Sequence, residues 1–249
     1  MAYRTNEQGG GSVNFCLYCH KAFYEPVGWS FIAGLSEAML FCEECSSSLE
    51  RINGEYCEIC GRSFILFPEQ YRQKHCCTDC IRWEESKEWS GLLTKNRSLY
   101  VYNDFLKQII STLKYRGDAE LAQGFRAPFR KLYKKEFRGR LIVPIPLSEE
   151  RHYERGFNQA MLLAELLGGE LLFPLERVIH EKKQSKKSRK ERMDIKENIF
   201  QASKEAERIR GKSVLLIDDV YTTGATIRQA AKVMLEAGAC EASSMTVGR

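Results

Sequence analysis

The chain has 249 residues, of which 43% are hydrophobic and 29% charged, with a formal net charge of +5. That balance excludes wholesale disorder, and no run of about 18 apolar residues predicts a membrane-spanning helix. The opening stretch MAYRTNEQGGGSV also lacks the apolar core of a secretory signal.

The charge is unevenly placed. Residues 1–90 carry eight basic and thirteen acidic side chains, while residues 181–192 (EKKQSKKSRKER) carry seven basic and two acidic. Cysteine is uneven too: nine of the ten fall between Cys16 and Cys80.

Residues 1–15 read as a flexible leader, glycine-rich at 9–12. A cysteine-rich part follows over 16–90, with four CxxC pairs: Cys16/Cys19, Cys42/Cys45, Cys57/Cys60 and Cys77/Cys80. A CxxC turn sets two sulfurs at the separation that one tetrahedral zinc requires. Eight thiolates make two four-cysteine sites. Disulfides are the alternative, and they need an oxidising compartment for which no export signal speaks. Sequential pairing groups Cys16, Cys19, Cys42 and Cys45, then Cys57, Cys60, Cys77 and Cys80; a cross-braced arrangement alternates the pairs. Gly61 after Cys60 favours the sequential one. Cys76 is able to replace Cys77, and His20 and His75 adjoin ligands as exposed neighbours. Four thiolates leave no open coordination position, so the expected role of two Zn2+ ions is structural. The acidity of this part argues against a DNA-gripping finger and for a partner-binding surface.

The composition changes near residue 90. Ser98–Tyr102 alternates as a strand, and Asn103 caps a helix through Phe105, Leu106, Ile109, Ile110 and Leu113. A second helix is expected over 119–135, with Arg126, Arg130, Lys131, Lys134 and Lys135 on its solvated face. Leu141–Ile145 is an apolar strand, and a helix is expected from 156 to 167. A strand over 213–217, a helix over 225–237 and a last strand over 242–247 complete the pattern, with Cys240 as a small buried filler. Strands alternating with helices imply an α/β fold, a doubly wound parallel sheet that binds ligands at the carboxyl ends of its strands.

Val214–Ile227 (VLLIDDVYTTGATI) carries the strongest functional signal. A buried strand delivers two acids, then a Thr/Gly-rich loop, then a helix. Loop N–H groups at a helix N-terminus form an anion site. Thr222, Thr223 and Thr226 add hydroxyls, Gly224 allows a tight approach, and Asp218 and Asp219 suit sugar hydroxyls. The stretch resembles the phosphoribosyl pyrophosphate (PRPP) motif of type I phosphoribosyltransferases. VPIPLSEERHYERGFNQA (Val143–Ala160), LKYRGD (Leu113–Asp118), QSKKSRKER before Asn198 and the four CxxC pairs further resemble the ComF family of phosphoribosyltransferase-like proteins, over nearly the whole chain beyond residue 15.

These resemblances imply specific roles. A type I phosphoribosyltransferase-like domain over 91–249 would hold the ribose hydroxyls with Asp218 and Asp219. It would hold the 5′-phosphate with Thr222, Thr223, Gly224, Ala225 and Thr226, and the pyrophosphate, with Mg2+, near Arg151 and Arg155. Lys182, Lys183, Lys186, Lys187, Arg189 and Arg192 would belong to a flexible loop closing over PRPP or gripping single-stranded DNA, with Tyr153, Phe157 and Tyr221 as possible stacking partners. The ComF likeness implies a cytoplasmic accessory role in DNA uptake and natural transformation, beside the competence ATPase of the uptake machinery. An active phosphoribosyltransferase and a non-catalytic PRPP sensor are the alternatives. No base-recognising hood is legible, so no acceptor is named.

Overall fold

The computed structural model describes residues 13–24, 40–65, 67–115, 118–178 and 198–249. The basic segment 181–192, and Arg116 and Gly117 of the LKYRGD stretch, lie outside the described residues.

The cysteine-rich part consists of two knuckles. In the first, a hairpin of β1 (Val13–Phe15) and β2 (Ala22–Tyr24) carries Cys16 and Cys19 in its turn, and α1 (Glu43–Ser47) carries Cys45. β1 occupies the last three residues of the stretch expected to be a leader. In the second knuckle, β3 (Arg72–Gln73) pairs antiparallel with β4 (Cys76–Cys77), and α2 (Thr78–Glu85) follows with Cys80. Both CxxC turns close the same way. His20 N donates to Cys16 O, and Gly61 N donates to Cys57 O. His20 (φ 60°) and Gly61 (φ 69°) occupy the equivalent left-handed position. At Gly61 a Cβ would stand 2.9 Å from the Asn96 carbonyl oxygen, so glycine is needed for space as well as for φ.

β5 (Asn96–Tyr100) begins the main sheet, two residues earlier than the alternation suggests. It leads into α3 (Asp104–Tyr115), where Asn103 Oδ1 accepts the N–H of Leu106 as expected of a cap. The expected second helix is split into a 3-10 turn over Ala119–Phe125 and α4 (Arg126–Glu136). β6 (Leu141–Pro144) follows. α5 (Glu149–Arg155), not expected from the sequence, comes next, and the helix expected over 156–167 is the shorter α6 (Gln159–Glu165). Gly156 (φ 75°) ends α5, Ser148 caps its start, and Asn158 caps α6. β7 (Leu175–Arg177) and β8 (Phe200–Ala202) form an antiparallel ribbon on either side of residues 179–197. β9 (Ser213–Val220), α7 (Ala225–Glu236) and β10 (Glu241–Gly248) complete the chain of elements.

The sheet order is β5-β10-β9-β6, with every pair parallel. Parallel strands need cover on both faces, and β9 shows how this is met. Leu215 and Ile217 point to one side, among Leu106, Ile109, Leu113, Phe129 and Leu163. Val214 and Leu216 point to the other, among Ile227, Ala230, Ala231 and Met234 of α7. The free edge of β5 is also covered. Ile52 N donates to Leu99 O and Val101 N to Glu50 O, while Asn96 N donates to Ile59 O. The cysteine-rich part thus satisfies backbone groups that an open edge would leave bare. Cys240 is exposed beside Ser213 rather than buried, because the turn into β10 turns it outward.

Candidate phosphate site and paired cysteine clusters

β9 sets both acids at its carboxyl end. Asp219 is buried and Asp218 half-buried. Their titration differs sharply. Burial and repulsion from Asp219 push Asp218 up to about 8. Burial also opposes ionisation of Asp219, but an ion pair with Lys114 and the charge of Arg155 outweigh it and lower its pKa. The neighbouring acids therefore hold one negative charge between them near neutral pH. Lys114, in the last turn of α3, belongs to the LKYRGD stretch, but nothing in the sequence assigns it a role at the acid pair. Its signal is a lysine that follows the buried Leu106, Ile109, Ile110 and Leu113 at the end of an apolar face.

After β9 the chain turns through Tyr221–Gly224 into α7. Gly224 has φ 84°, and a Cβ there would meet the Tyr221 hydroxyl at 2.1 Å, so both backbone and packing demand glycine. Tyr221 is 2% exposed and accepts a hydrogen bond from Arg228 at 2.8 Å. It is therefore unavailable as the stacking partner expected from the sequence. Thr222 is exposed, while Ala225 and Thr226 are half-buried in the first turn of α7. Among the described residues no protein acceptor takes the N–H of Thr222, Thr223 or Gly224. Three such groups at a helix N-terminus, beside an acid pair, have the chemistry to take an anion on one side and hydroxyls on the other.

α5 brings Arg155 toward this end of the sheet, and Arg151 lies half-buried one turn earlier on the same helix. Arg155 Nη1 donates to Gln159 Oε1 at 2.9 Å, and its charge is felt at both Asp219 and Lys114. Tyr153, between the two arginines in sequence, is 93% exposed. Phe157 is half-buried against the core.

The eight expected cysteines gather as Cys16, Cys19, Cys42 and Cys45, and as Cys57, Cys60, Cys77 and Cys80. Cys76 stands outside the second group. Within the groups Cys19 and Cys42 sulfurs are 3.7 Å apart, and Cys60 and Cys77 sulfurs 3.6 Å. A tetrahedral Zn–S distance of about 2.3 Å gives a sulfur–sulfur edge of roughly 3.8 Å, close to these values. Disulfide sulfurs would lie near ~2.05 Å. Burial opposes ionisation of Cys16, yet backbone N–H groups of Cys19, Cys42 and Tyr18 outweigh it and lower its pKa to about 7. Both groups have the donor set to hold a metal ion.

Known proteins agree with this architecture. Residues 154–248 match the phosphoribosyl transferase domain family. The chain is 41% identical to the competence protein ComFC of Bacillus subtilis, over 98% of this chain and 99% of that one. The chain belongs to the ComF family. A second ComF relative, the competence protein ComFC of Streptococcus pneumoniae, is 34% identical over 94% of this chain and 99% of its own. Competence protein F of Haemophilus influenzae is 28% identical over 79% and 91%. The phosphoribosyl transferase match begins within α5 and includes the acid pair and the loop. It leaves Lys114 and both cysteine groups of this ComF chain outside its bounds.

Proposed function

We propose that this ComF chain acts in DNA uptake during natural transformation, binding PRPP or a nucleotide at the head of β9 and α7. The observation that carries the reading is the acid pair of Asp218 and Asp219 beside the free N–H groups of Thr222, Thr223 and Gly224. An oxyanion on the loop and a ribose on the carboxyls satisfy both halves. Asp218, largely protonated near neutral pH, both donates to and accepts from a ribose hydroxyl, while Asp219 accepts. Thr226 adds a hydroxyl, and Ala225 an N–H at the start of α7. Arg151 and Arg155 bind pyrophosphate oxygens through paired guanidinium donors. Mg2+ arriving with PRPP supplies further charge neutralisation and is held largely by the ligand's own oxygens. The basic segment from Lys182 to Arg192 lies in sequence between β7 and β8, outside the described residues.

Single-stranded DNA is a second ligand reading, favoured by Tyr153 exposed between two arginines, since an aromatic face flanked by cations suits a base and its phosphates. Titration calorimetry with PRPP, a nucleoside monophosphate and a single-stranded oligonucleotide separates the two. The expected result is PRPP binding that weakens about tenfold or more in Asp218→Ala, the change expected when a hydrogen bond to a ligand hydroxyl is lost. No PRPP or nucleotide binding would sink the reading, and tight DNA binding indifferent to PRPP would favour the second.

In this reading Zn2+ fills both cysteine groups and works in the cytoplasm as scaffold. The acidic surface around Glu43 and Glu44 docks the competence ATPase. Among the described residues no helix is long and apolar enough to cross a membrane. Elemental analysis should find about two zinc ions per chain. The doublet Glu43→Lys/Glu44→Lys should lose co-purification with the ATPase; retention would remove that partner assignment.

A further inference from the structure

The phosphate loop is held from behind by the second cysteine group. Arg249 donates through Nη1 to the Thr222 carbonyl at 2.8 Å and through Nη2 to the Cys60 sulfur at 3.1 Å. Its guanidinium also lies over the Tyr221 ring, 4.9 Å from the centroid. Trp83 sits on α2 one turn beyond Cys80 and is 3% exposed. Its indole N–H donates to the Thr223 carbonyl at 2.9 Å. Each contact joins a metal-ligating turn, or the helix that carries a ligand, directly to the backbone of the loop.

Peptide geometry gives these contacts a consequence. In a trans peptide the C=O of one residue and the N–H of the next point in opposite directions. The chain has no cis peptide among the described residues. Drawing the Thr222 and Thr223 carbonyls toward the cysteine group therefore turns the N–H groups of Thr223 and Gly224 the other way. Those are two of the three donors that lack a protein acceptor. These donors are aimed by carbonyls anchored on the far side of the loop.

The first cysteine group is anchored elsewhere. Tyr18 stacks edge-on with Phe105 at 5.2 Å, and Phe41 with Phe125 at 5.7 Å. Among the described residues no hydrogen bond or ring contact links it to residues 221–226.

The geometry points to Trp83 and Arg249 as positioning residues that make anion binding at the loop depend on the metal in Cys57, Cys60, Cys77 and Cys80, and not on the metal in Cys16, Cys19, Cys42 and Cys45. This rests on the reading of residues 222–226 as the phosphate site. Metal fixes Cys60 and Cys80, and with them the sulfur that Arg249 faces and the helix that presents Trp83. Coupling between two sites is reciprocal, so a ligand on the loop must strengthen metal retention in the second group alone.

The test follows zinc release from the full zinc-loaded chain to a colorimetric chelator, with and without PRPP and Mg2+. Two release phases are expected, and PRPP slows one of them by roughly fivefold or more. Trp83→Phe keeps the ring but loses the donor, and Arg249→Lys has one nitrogen where two are used. Both variants should retain two zinc ions and near-native melting, bind PRPP about tenfold more weakly, and lose the selective slowing. Lys232→Ala breaks the Lys232–Glu88 pair between the same two parts without touching the loop, and should change neither readout. Wild-type-like PRPP affinity in both variants, or PRPP slowing both phases or neither, would overturn the inference. A wild-type chain that binds no PRPP overturns the phosphate-site reading itself, and this one with it.

Discussion

Two adjacent carboxyls at the end of β9 take opposite electrostatic parts because their surroundings differ. Lys114 holds Asp219 ionised, whereas burial and that same Asp219 charge keep Asp218 protonated up to about 8. The sign of the pH effect follows. Asp218 binds a proton in the folded chain, but not in the unfolded one, between its ordinary value of 3.8 and about 8. Stability from this group is therefore complete below the ordinary value and falls as pH rises through that window. Asp218→Asn removes the titration, so its melting temperature relative to wild type should be higher at pH 8 than at pH 5. Parallel thermal melts at the two pH values check this; an identical offset at both would refute it. The DD and TTGAT residues were legible because the motif is contiguous. Lys114 was not, because its partner lies 105 positions away and only the packing of α3 on the sheet brings them together.

At the scale of elements, α2 and α7 are joined by a buried cation. Arg228 follows Ile227 at the start of α7, off the face marked by Ile227, Ala230, Ala231 and Met234, yet it is 0% exposed. It pairs with Glu84 at 3.0 Å, donates to Tyr221 and lies 5.1 Å over Trp83. Glu84 in turn accepts the Gly91 N–H at 2.7 Å. Breaking a buried pair by removing one partner costs about 3 kcal/mol or more. Glu84→Ala should lose about that much in urea unfolding, because it leaves the 0% exposed guanidinium without its counter-ion, and Arg228→Met less, because the carboxylate it leaves is 31% exposed. A loss under ~1 kcal/mol for Glu84→Ala would mean the pair adds nothing. The late start of the helix expected at 156, which begins at Gln159, has an equally local cause. Ser148 and Asn158 each cap a helix and Gly156 ends one, so punctuation overrides the continuous apolar spacing.

At the scale of the whole molecule, the cysteine-rich part and the sheet share surfaces that neither completes alone. Residues 50–52 and 59–60 cover the edge of β5, and Asn96 donates to the Cys60 carbonyl from within a buried network with Ser98, Ser244 and Thr246. A chain beginning at residue 90 would bare that edge and leave Arg228 buried without Glu84. It should aggregate or lose the cooperative melt of the full chain, as measured by circular dichroism; a sharp, native-like transition would show the sheet to be self-sufficient.

The sequence by itself determined the four CxxC pairs, the parallel α/β sheet and the Thr/Gly loop after β9. Each is written in short-range spacing: two residues between thiols, strand period against helix period, acids followed at once by a Thr/Gly turn. Only the tertiary structure decided which CxxC pairs share a group, and that the second group backs the loop after β9. Trp83 meets Thr223 across 140 positions, Glu84 meets Arg228 across 144 and Cys60 meets Arg249 across 189. Local spacing encodes each turn, but which turn lies behind which is set by the burial of both faces of the sheet and of its β5 edge.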